Sequence, residues 1–593
     1  MRAKNKFALR VLSAAAVMAM VTSIAAPAFA DAYGIATYGT YYVDEGNISV
    51  EVKDDGRHYV NGKEDTDGWV IIKNSRDETK TGAVGNTVTI DTKEGQTADV
   101  TLDGVNIDVS DKDKAAMTVK GNGTTNIELN GNNTLTSGGT HAGLEKNDAD
   151  GTGNLVIKDD TKDGGSLTAT GGTNDDEDTG GAGIGSSSKS NTSNIEIAGG
   201  KVEATGGANA AGIGSGTSDE SVEIGTTGNA SHLKITGGDV AATGYGDGAG
   251  IGGAIYGSTD IEISGGKVSA ENKGDYSTGA GIGGGGESNK VSITITSGTV
   301  DAKSVDGAAI GGGSGGSGNW DISISGKKTY VKASSDGYGA GIGGGEGDFS
   351  KGKLTISDGT VIASGNSGIG TGDNSQWADT TIEISGGNIT ATGGKGEASY
   401  GSGAGIGTGS SSHESEMNIK ISGGNITAAG GANAAGIGNG ANTREDVMKI
   451  ELTGGNVTAI GGPGGAAAIG GGVGRRNYDP NVTVKIGGPG SVLKLTAKSQ
   501  GSNKGTIGEG IVDGDDPLSG VNFDDVEHMT AETLGEECGI LVELYNNYDP
   551  ATGTGTRYKV VHNKKYITET YEDHPNDDHA WSNPTIIKEA APG

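Results

Sequence analysis

The feature that most constrains this chain is an isoleucine set between glycines, which returns until the main body ends. Variants of Gly-Ala-Gly-Ile-Gly place it at Ile184, Ile213, Ile251, Ile282, Ile310, Ile342, Ile369, Ile406, Ile437, Ile469 and Ile507, at spacings of 27 to 38 residues. A unit of about thirty residues cannot bury its own apolar side, so such a period implies many units stacked on one another. Glycine accounts for 116 of 593 residues, a content that argues for disorder in an aperiodic chain. Here the apolar residues keep strict local order and proline numbers only 9. A folded, turn-rich, all-β chain follows.

The clearest unit begins at Ile195 and ends at Gly214. Ile195 and Ile197, then Val202 and Ala204, alternate with polar residues, which is the period of a strand and not of a helix. Gly199-Gly200 and Gly206-Gly207 divide the unit into three strand-sized pieces, the paired glycines supplying corners that need positive φ. The fold class read from this is an all-β, right-handed parallel β-helix of about thirteen three-strand coils, its hand set by the crossover preference of parallel strands.

Aligning the first strand gives thirteen inward pairs, from Val100/Leu102, Ile127/Leu129, Leu155/Ile157 and Ile195/Ile197 to Val484/Ile486. The residue between each pair points outward, and Glu196, Lys234 and Glu262, like Glu383, Lys420, Glu451 and Lys485, alternate in sign down the column. Opposite charges side by side on paired strands stabilise and like charges destabilise, so this order suits in-register stacking. In this alignment Glu128 stands beside Val156. The second strand repeats an apolar residue two before an alanine, as in Leu167/Ala169, Val202/Ala204 and Leu495/Ala497, which implies a narrow interior.

Residues 1–30 read as a signal peptide: Arg2, Lys4, Lys6 and Arg10, an apolar run from Val11 to Ala26, and Ala28-Phe29-Ala30 as a cleavage site. The expected location is secreted, extracellular or associated with a bacterial cell surface, with no membrane insertion after the signal is removed. Residues 31–95 are the expected N-terminal cap, 96–512 the β-helix repeats, and 513–593 a C-terminal cap or small β-rich domain richer in tyrosine. Formal charge is −32, or −36 without the four cationic signal residues, which excludes nucleic acid as a partner because phosphate binding needs a basic face. Cys538 is the single cysteine, so stability must come from stacking and not from a disulfide framework.

Aromatic residues are few, which makes their places informative. Tyr245, Tyr276 and Tyr400 each precede the glycine-flanked isoleucine by six residues and Tyr338 by four. With Trp320 and Trp377, assigned to other insertions, they are the carbohydrate-binding candidates, since rings can offer a face to sugar C–H groups; the competing account is that each tyrosine only covers a turn. Coil length varies mainly just before Gly-Ala-Gly-Ile-Gly, and insertions on one side of a solenoid often mark its binding face. Asp175, Asp176 and Asp178 are the candidate metal residues, because clustered loop carboxylates suit calcium. A solvated acidic loop is the plainer reading, since neither an EF-hand loop nor a repeated calcium nonapeptide occurs. No catalytic residue is assigned: the eight histidines are scattered and no constellation with separate roles emerges.

The segments ADVTLDGVNIDV (98–109) and NIELNGNNTLTSGG (126–139), with the later ISGGNITATGG and GAGIG coils, resemble bacterial secreted proteins described as carbohydrate-binding domain-containing right-handed β-helices. The likeness covers about residues 45–510 and rests on coil-forming residues. It implies a link with calcium and with acidic plant polysaccharides such as pectin, bound without cleavage. The expectation is a monomeric, non-catalytic protein whose partner is a polysaccharide or cell-surface glycan, with calcium as the cofactor to test. A structural or adhesive rod without glycan specificity is the alternative, and a polysaccharide lyase or hydrolase a lesser one.

Overall fold

The computed structural model describes residues 39–563 except 67, 163, 175, 177, 220, 222–224, 275–276, 317, 348, 350, 395–401, 475–480, 488–490, 501–506, 509–510 and 513–538. The signal segment and residues 564–593 therefore lie outside the described residues.

Three parallel sheets run along the chain and wind it into a right-handed β-helix of about 14 turns. Each regular coil crosses the three faces in order, as Thr192–Ile197, Lys201–Thr205 and Ile213–Gly214 do before Ala230–Ile235 starts the next coil. The first face holds fifteen strands, from Gly39–Tyr42 to Asn481–Ile486. The third is a column of strands mostly two residues long. The isoleucines of the repeat pair directly, Ile184 with Ile213, Ile213 with Ile251, and onward to Ile469 with Ile507. They form one continuous core with Ile195, Leu233 and Ile261 of the first face and Val202, Val240 and Val268 of the second.

Glycine after each isoleucine is required by space. From Gly185 to Gly470 these residues have φ between +123° and +147°, a region L side chains rarely enter. A Cβ on Gly283 or Gly311 would lie 2.0 or 1.9 Å from the carbonyl oxygen of the equivalent glycine one coil on. The close approach lets Ile184 N–H reach Gly212 O at 3.0 Å and Ser186 N–H reach Gly214 O at 3.0 Å, so the column is hydrogen-bonded through the peptide on each side. Between the first and second faces, the later glycine of each pair makes the turn: Gly200 has φ +80° and Gly238 +85°.

The outward column of the first face pairs as its charges require: Glu196 with Lys234, Lys234 with Glu262, and Glu383 with Lys420, Glu451 and Lys485 in turn. Lys234 and Glu262 lie 3.6 Å apart and Glu451 and Lys485 2.7 Å.

One register differs from the sequence alignment. Ile127 pairs with Ile157 and Glu128 with Lys158, not with Leu155 and Val156. A shift of two residues keeps every side chain on its own face, so alternation alone cannot detect it. The structure places Lys158 Nζ 4.0 Å from Glu128 Oε2, and Glu128 Oε1 also accepts the Asp160 N–H at 2.8 Å.

The N-terminal end also differs from the expected boundary. Val70–Lys73 and Gly39–Tyr42 continue the first face, and Val88–Thr92 and Ile48–Val52 continue the third, so the coils begin well before residue 96. The N-terminal edge is instead covered by an antiparallel excursion in which His58–Val60 pairs with Ile48–Val52 and Lys63–Asp65 with His58–Val60. At the other end Gly539–Asp549 joins the second face beside Val492–Lys498, and Thr554–Asn563 pairs antiparallel with it.

If the glycine column sets the coil, Gly311→Ala should destabilise by at least about 2 to 4 kcal/mol, combining an unfavourable φ with a backbone clash. Gly95→Ala, at φ +73° with nothing within 4 Å of the new Cβ, should cost only about 1 kcal/mol. Urea unfolding of both variants checks the contrast, and equal losses would contradict the close-approach argument.

Candidate functional site

With the third face buried, variation is left to the corners on either side of it. The corner between the second and third faces carries an open groove of about 720 Å³, lined among others by Thr173, Asn174, Ala208, Asn209, Tyr245 and Gly274. Tyr245 is 39% exposed on its wall. The groove's amides are already engaged: Asn174 Nδ2 donates to Asp178 Oδ1 at 2.7 Å, Asn209 Nδ2 to Asp178 O at 2.9 Å, and Asn209 Oδ1 accepts the Asp247 N–H at 3.3 Å. Tyr338 is exposed on the same corner several coils further on. Tyr276 and Tyr400 lie outside the described residues.

Trp320 does not belong to this surface. It is 2% exposed and sits in the strand Asn319–Ile324, two residues before Ile322, so the alternation that buries Ile322 and Ile324 also buries its indole. Gly352 occupies the paired position on the next coil, and a Cβ there would come within 2.1 Å of the Trp320 ring. The tryptophan fills two storeys of the core and cannot meet a ligand.

Among the described candidate rings Trp377 is the most exposed, at 60%. It lies on the corner between the third and first faces, where three successive turns stack. Phe349 and Trp377 are 6.0 Å apart between ring centroids at 29°, and Trp377 and His413 are 6.3 Å apart at 65°. These separations fall in the range of attractive ring pairs. The indole N–H donates to Glu414 Oε2 at 2.8 Å, and Trp377 N–H donates to His413 O at 3.2 Å. The backbones of Gln376, His413 and Arg444 pair in parallel along these turns. Trp377 and Glu414 both hold φ +52° and Glu445 +56°, a left-handed conformation costing about 1 to 2 kcal/mol for an ordinary residue. Three coils repeat it at one position, and at Trp377 it holds a large ring in solvent. Sequence reasoning reached Trp377 but missed Phe349 and His413. Counting seven residues on from Ile342 and Ile406 reaches those two, but counting on from Ile369 gives Gln376, one short of the tryptophan.

Beneath these turns Asp446 is 1% exposed, with Oδ1 accepting the Ser415 N–H at 2.9 Å and Oδ2 without a hydrogen-bond partner. Burial outweighs the Ser415 amide and pushes its carboxyl up to about 7.

The expected metal residues are not gathered. Asp175 lies outside the described residues, and Asp176 and Asp178 are exposed in a turn tied by Asn174. Among the described residues no three of His, Cys, Asp and Glu are arranged to hold a metal ion. His141 meets two carboxylates, with Nδ1 2.7 Å from Glu145 Oε2 and Nε2 3.6 Å from Asp113 Oδ1. The Glu145 hydrogen bond holds the imidazole above its ordinary value. Glu145 fills the place that glycine takes in later coils, and its carboxylate also accepts the Ala142 N–H at 3.3 Å, so the cluster ties the corner where that glycine is missing.

A family described as β-helix repeat matches residues 195–217, 233–256, 261–286, 293–314, 354–373, 382–410, 419–441 and 450–473. The chain is a β-helix repeat protein. Searches of curated proteins and of solved structures give no significant match. The matched segments follow the coils already described, each beginning on the first face and ending at the corner that, in later coils of this β-helix repeat protein, carries the rings.

The Asp446 environment gives a signed pH dependence. Between its ordinary 3.8 and about 7, the folded chain keeps a proton that the unfolded chain has released, so this group lowers stability as pH rises through that window. Asp446→Asn should gain on the wild type progressively across it. Urea midpoints of both proteins at several pH values test this, and parallel profiles would refute it.

Proposed function

We propose that this protein is an exported, non-catalytic β-helix that binds polysaccharide through rings displayed on its corners. The observation that carries the reading is the column Phe349, Trp377 and His413, its first two rings exposed and His413 half-buried at its end. An apolar ring held in water against a backbone cost has no folding purpose in view, and such cost gathers at functional positions. Successive coils lie about 4.8 Å apart, so the column offers repeated, nearly equivalent contacts along one line. A linear polymer can use these together, and linked weak contacts give useful affinity.

Tyr245 and its groove provide a second stacking position on the neighbouring corner. Their amides are committed internally, so the contribution expected there is ring contact. The absence of an assigned catalytic role rests on the residues named above: the His141 cluster ties a corner, and no nucleophile is hydrogen-bonded to that histidine among the described residues. Export rests on the leader-like residues 1–30. Calcium remains to be tried as a bridging ion.

Affinity electrophoresis against a panel of soluble polysaccharides tests the reading. Trp377→Ala should weaken retention by about tenfold, the scale of one aromatic contact, while leaving the urea midpoint nearly unchanged or slightly raised. If no polysaccharide is retained by the wild type, the protein is a rod without glycan specificity.

A further inference from the structure

The turns that lead to the rings carry carboxyl groups without counter-ions, and Glu414 meets the Trp377 indole itself. Glu346 precedes Phe349 by three residues, Asp373 precedes Trp377 by four, and Ser410 precedes His413 by three, so acids and rings share the same stacked turns. Ser410 Oγ donates to Asp373 Oδ1 at 2.5 Å, and the turns reach back to the tyrosine corner, where Glu346 N–H donates to Asp306 O at 3.0 Å and Asp373 N–H to Tyr338 O at 2.8 Å. Burial raises the Asp306 and Asp373 carboxyls; it raises Glu346 as well, with the charges of Asp306 and Asp373 adding to it.

Elsewhere the rod pairs some of its acids. Asp239 has Lys267 at 3.2 Å, Glu416 has Lys449 at 2.7 Å and Glu451 has Lys485 at 2.7 Å. Among the described residues no lysine or arginine forms an ion pair with Asp306, Glu346 or Asp373. Two cations lie close to the rings: Arg444 beside His413, flanked by Glu414 and Glu445, and Lys351, two residues after Phe349, whose charge is taken up by Asp379 at 3.9 Å. The ground around the rings is therefore negative, on a protein whose net charge is already −32.

We propose that the ring column selects uncharged polysaccharide and discriminates against polyuronate. This rests on the reading that the column binds glycan and adds the class of glycan. A ring face attracts sugar C–H groups whatever the polymer's charge. A polyuronate brings a carboxylate on every sugar toward Glu346, Asp373 and Asp306, and each like-charge approach is unfavourable. Specificity of this kind comes from the repulsive element as much as from the attractive one. An acidic polymer would need a bridging cation to lie on this surface.

The test uses one polymer whose charge alone is changed: fully methyl-esterified homogalacturonan against the same material de-esterified, with the full chain, in chelator and at low salt. A neutral panel of β-glucan, galactan and mannan is run beside it. The wild type should bind the esterified polymer about fivefold to tenfold more tightly, the scale of a few unit charges at about 10 Å in water, and added salt should narrow the gap. Glu346→Gln with Asp373→Asn should narrow it at low salt, while Trp377→Ala should weaken both polymers. Retention of a neutral polymer but not of de-esterified homogalacturonan also supports the proposal. Equal binding of the two forms, or an unchanged gap in the double variant, overturns charge selection and leaves glycan binding standing. If nothing is retained, the glycan reading falls and the inference with it. Urea midpoints confirm that each variant is folded.

Discussion

Everything in this molecule depends on how closely one coil can lie over the next at the third face. There the chain narrows to an isoleucine facing inward and a glycine whose backbone touches its counterpart, with a virtual Cβ within 2.0 Å of the neighbouring carbonyl at Gly283, Gly311 and Gly343. Glycine weakens a strand in isolation, because it loses more backbone freedom than other residues and offers no side chain to pack. In a stacked column that loss is offset by peptide hydrogen bonds on both sides and by an unbroken isoleucine ladder. The interior is narrow for the same reason: isoleucine on one wall leaves room for little more than alanine on another, as at Ala204, Ala242 and Ala270. Trp320 enters only because Gly352 vacates the storey beside it.

A coil fixed so tightly on three faces leaves the corners as the places where composition and length are free. The two corners flanking the third face have used that freedom differently. One carries insertions, with Tyr245 on the wall of a groove whose polar groups are spent on each other. At the other, length varies too, but the turns from Ile342 to Leu354, Ile369 to Ile382 and Ile406 to Ile419 are nearly equal, and there stacking brings Phe349, Trp377 and His413 into line across three coils. Regularity, more than insertion, assembles a surface from residues far apart in sequence. The same stacking concentrates charge, since Glu346 and Asp373 sit in adjacent turns against Asp306 of the tyrosine corner, and none of the three forms an ion pair among the described residues.

What could be read from the sequence was whatever repeats. The isoleucine ladder, the inward pairs of the first face from Leu155/Ile157 onward, and the order Glu196, Lys234, Glu262 all follow from spacing and alternation, and the strands pair that way. The step from Ile127 to Ile157 was hidden, because a slip of two residues preserves alternation; the turn leading to Lys158 decides it. The first two coils escaped notice since they lack the glycine-flanked isoleucine, with Ile48–Val52 and Val88–Thr92 in its column. Trp320 was misplaced for a related reason: its strand begins one inward position before the isoleucine pair. The ring column was only partly legible. Trp377 stands one place off the count that links Phe349 and His413, and its left-handed backbone brings it back between them.

A stack of parallel strands invites more strands at either end, and an open edge of this size would pair with another chain. The third face meets this by changing direction. Ile48–Val52 has Val88–Thr92 on one side and the antiparallel His58–Val60 on the other, and the edge is handed on to Lys63–Asp65. That last strand is three residues long and reads Lys-Glu-Asp, short and charged throughout. A further β-helix coil presents alternating apolar residues at parallel register, and against this strand it would find neither the direction nor the side chains to continue. The reversal ends at this edge the growth that the glycine column would otherwise permit without limit.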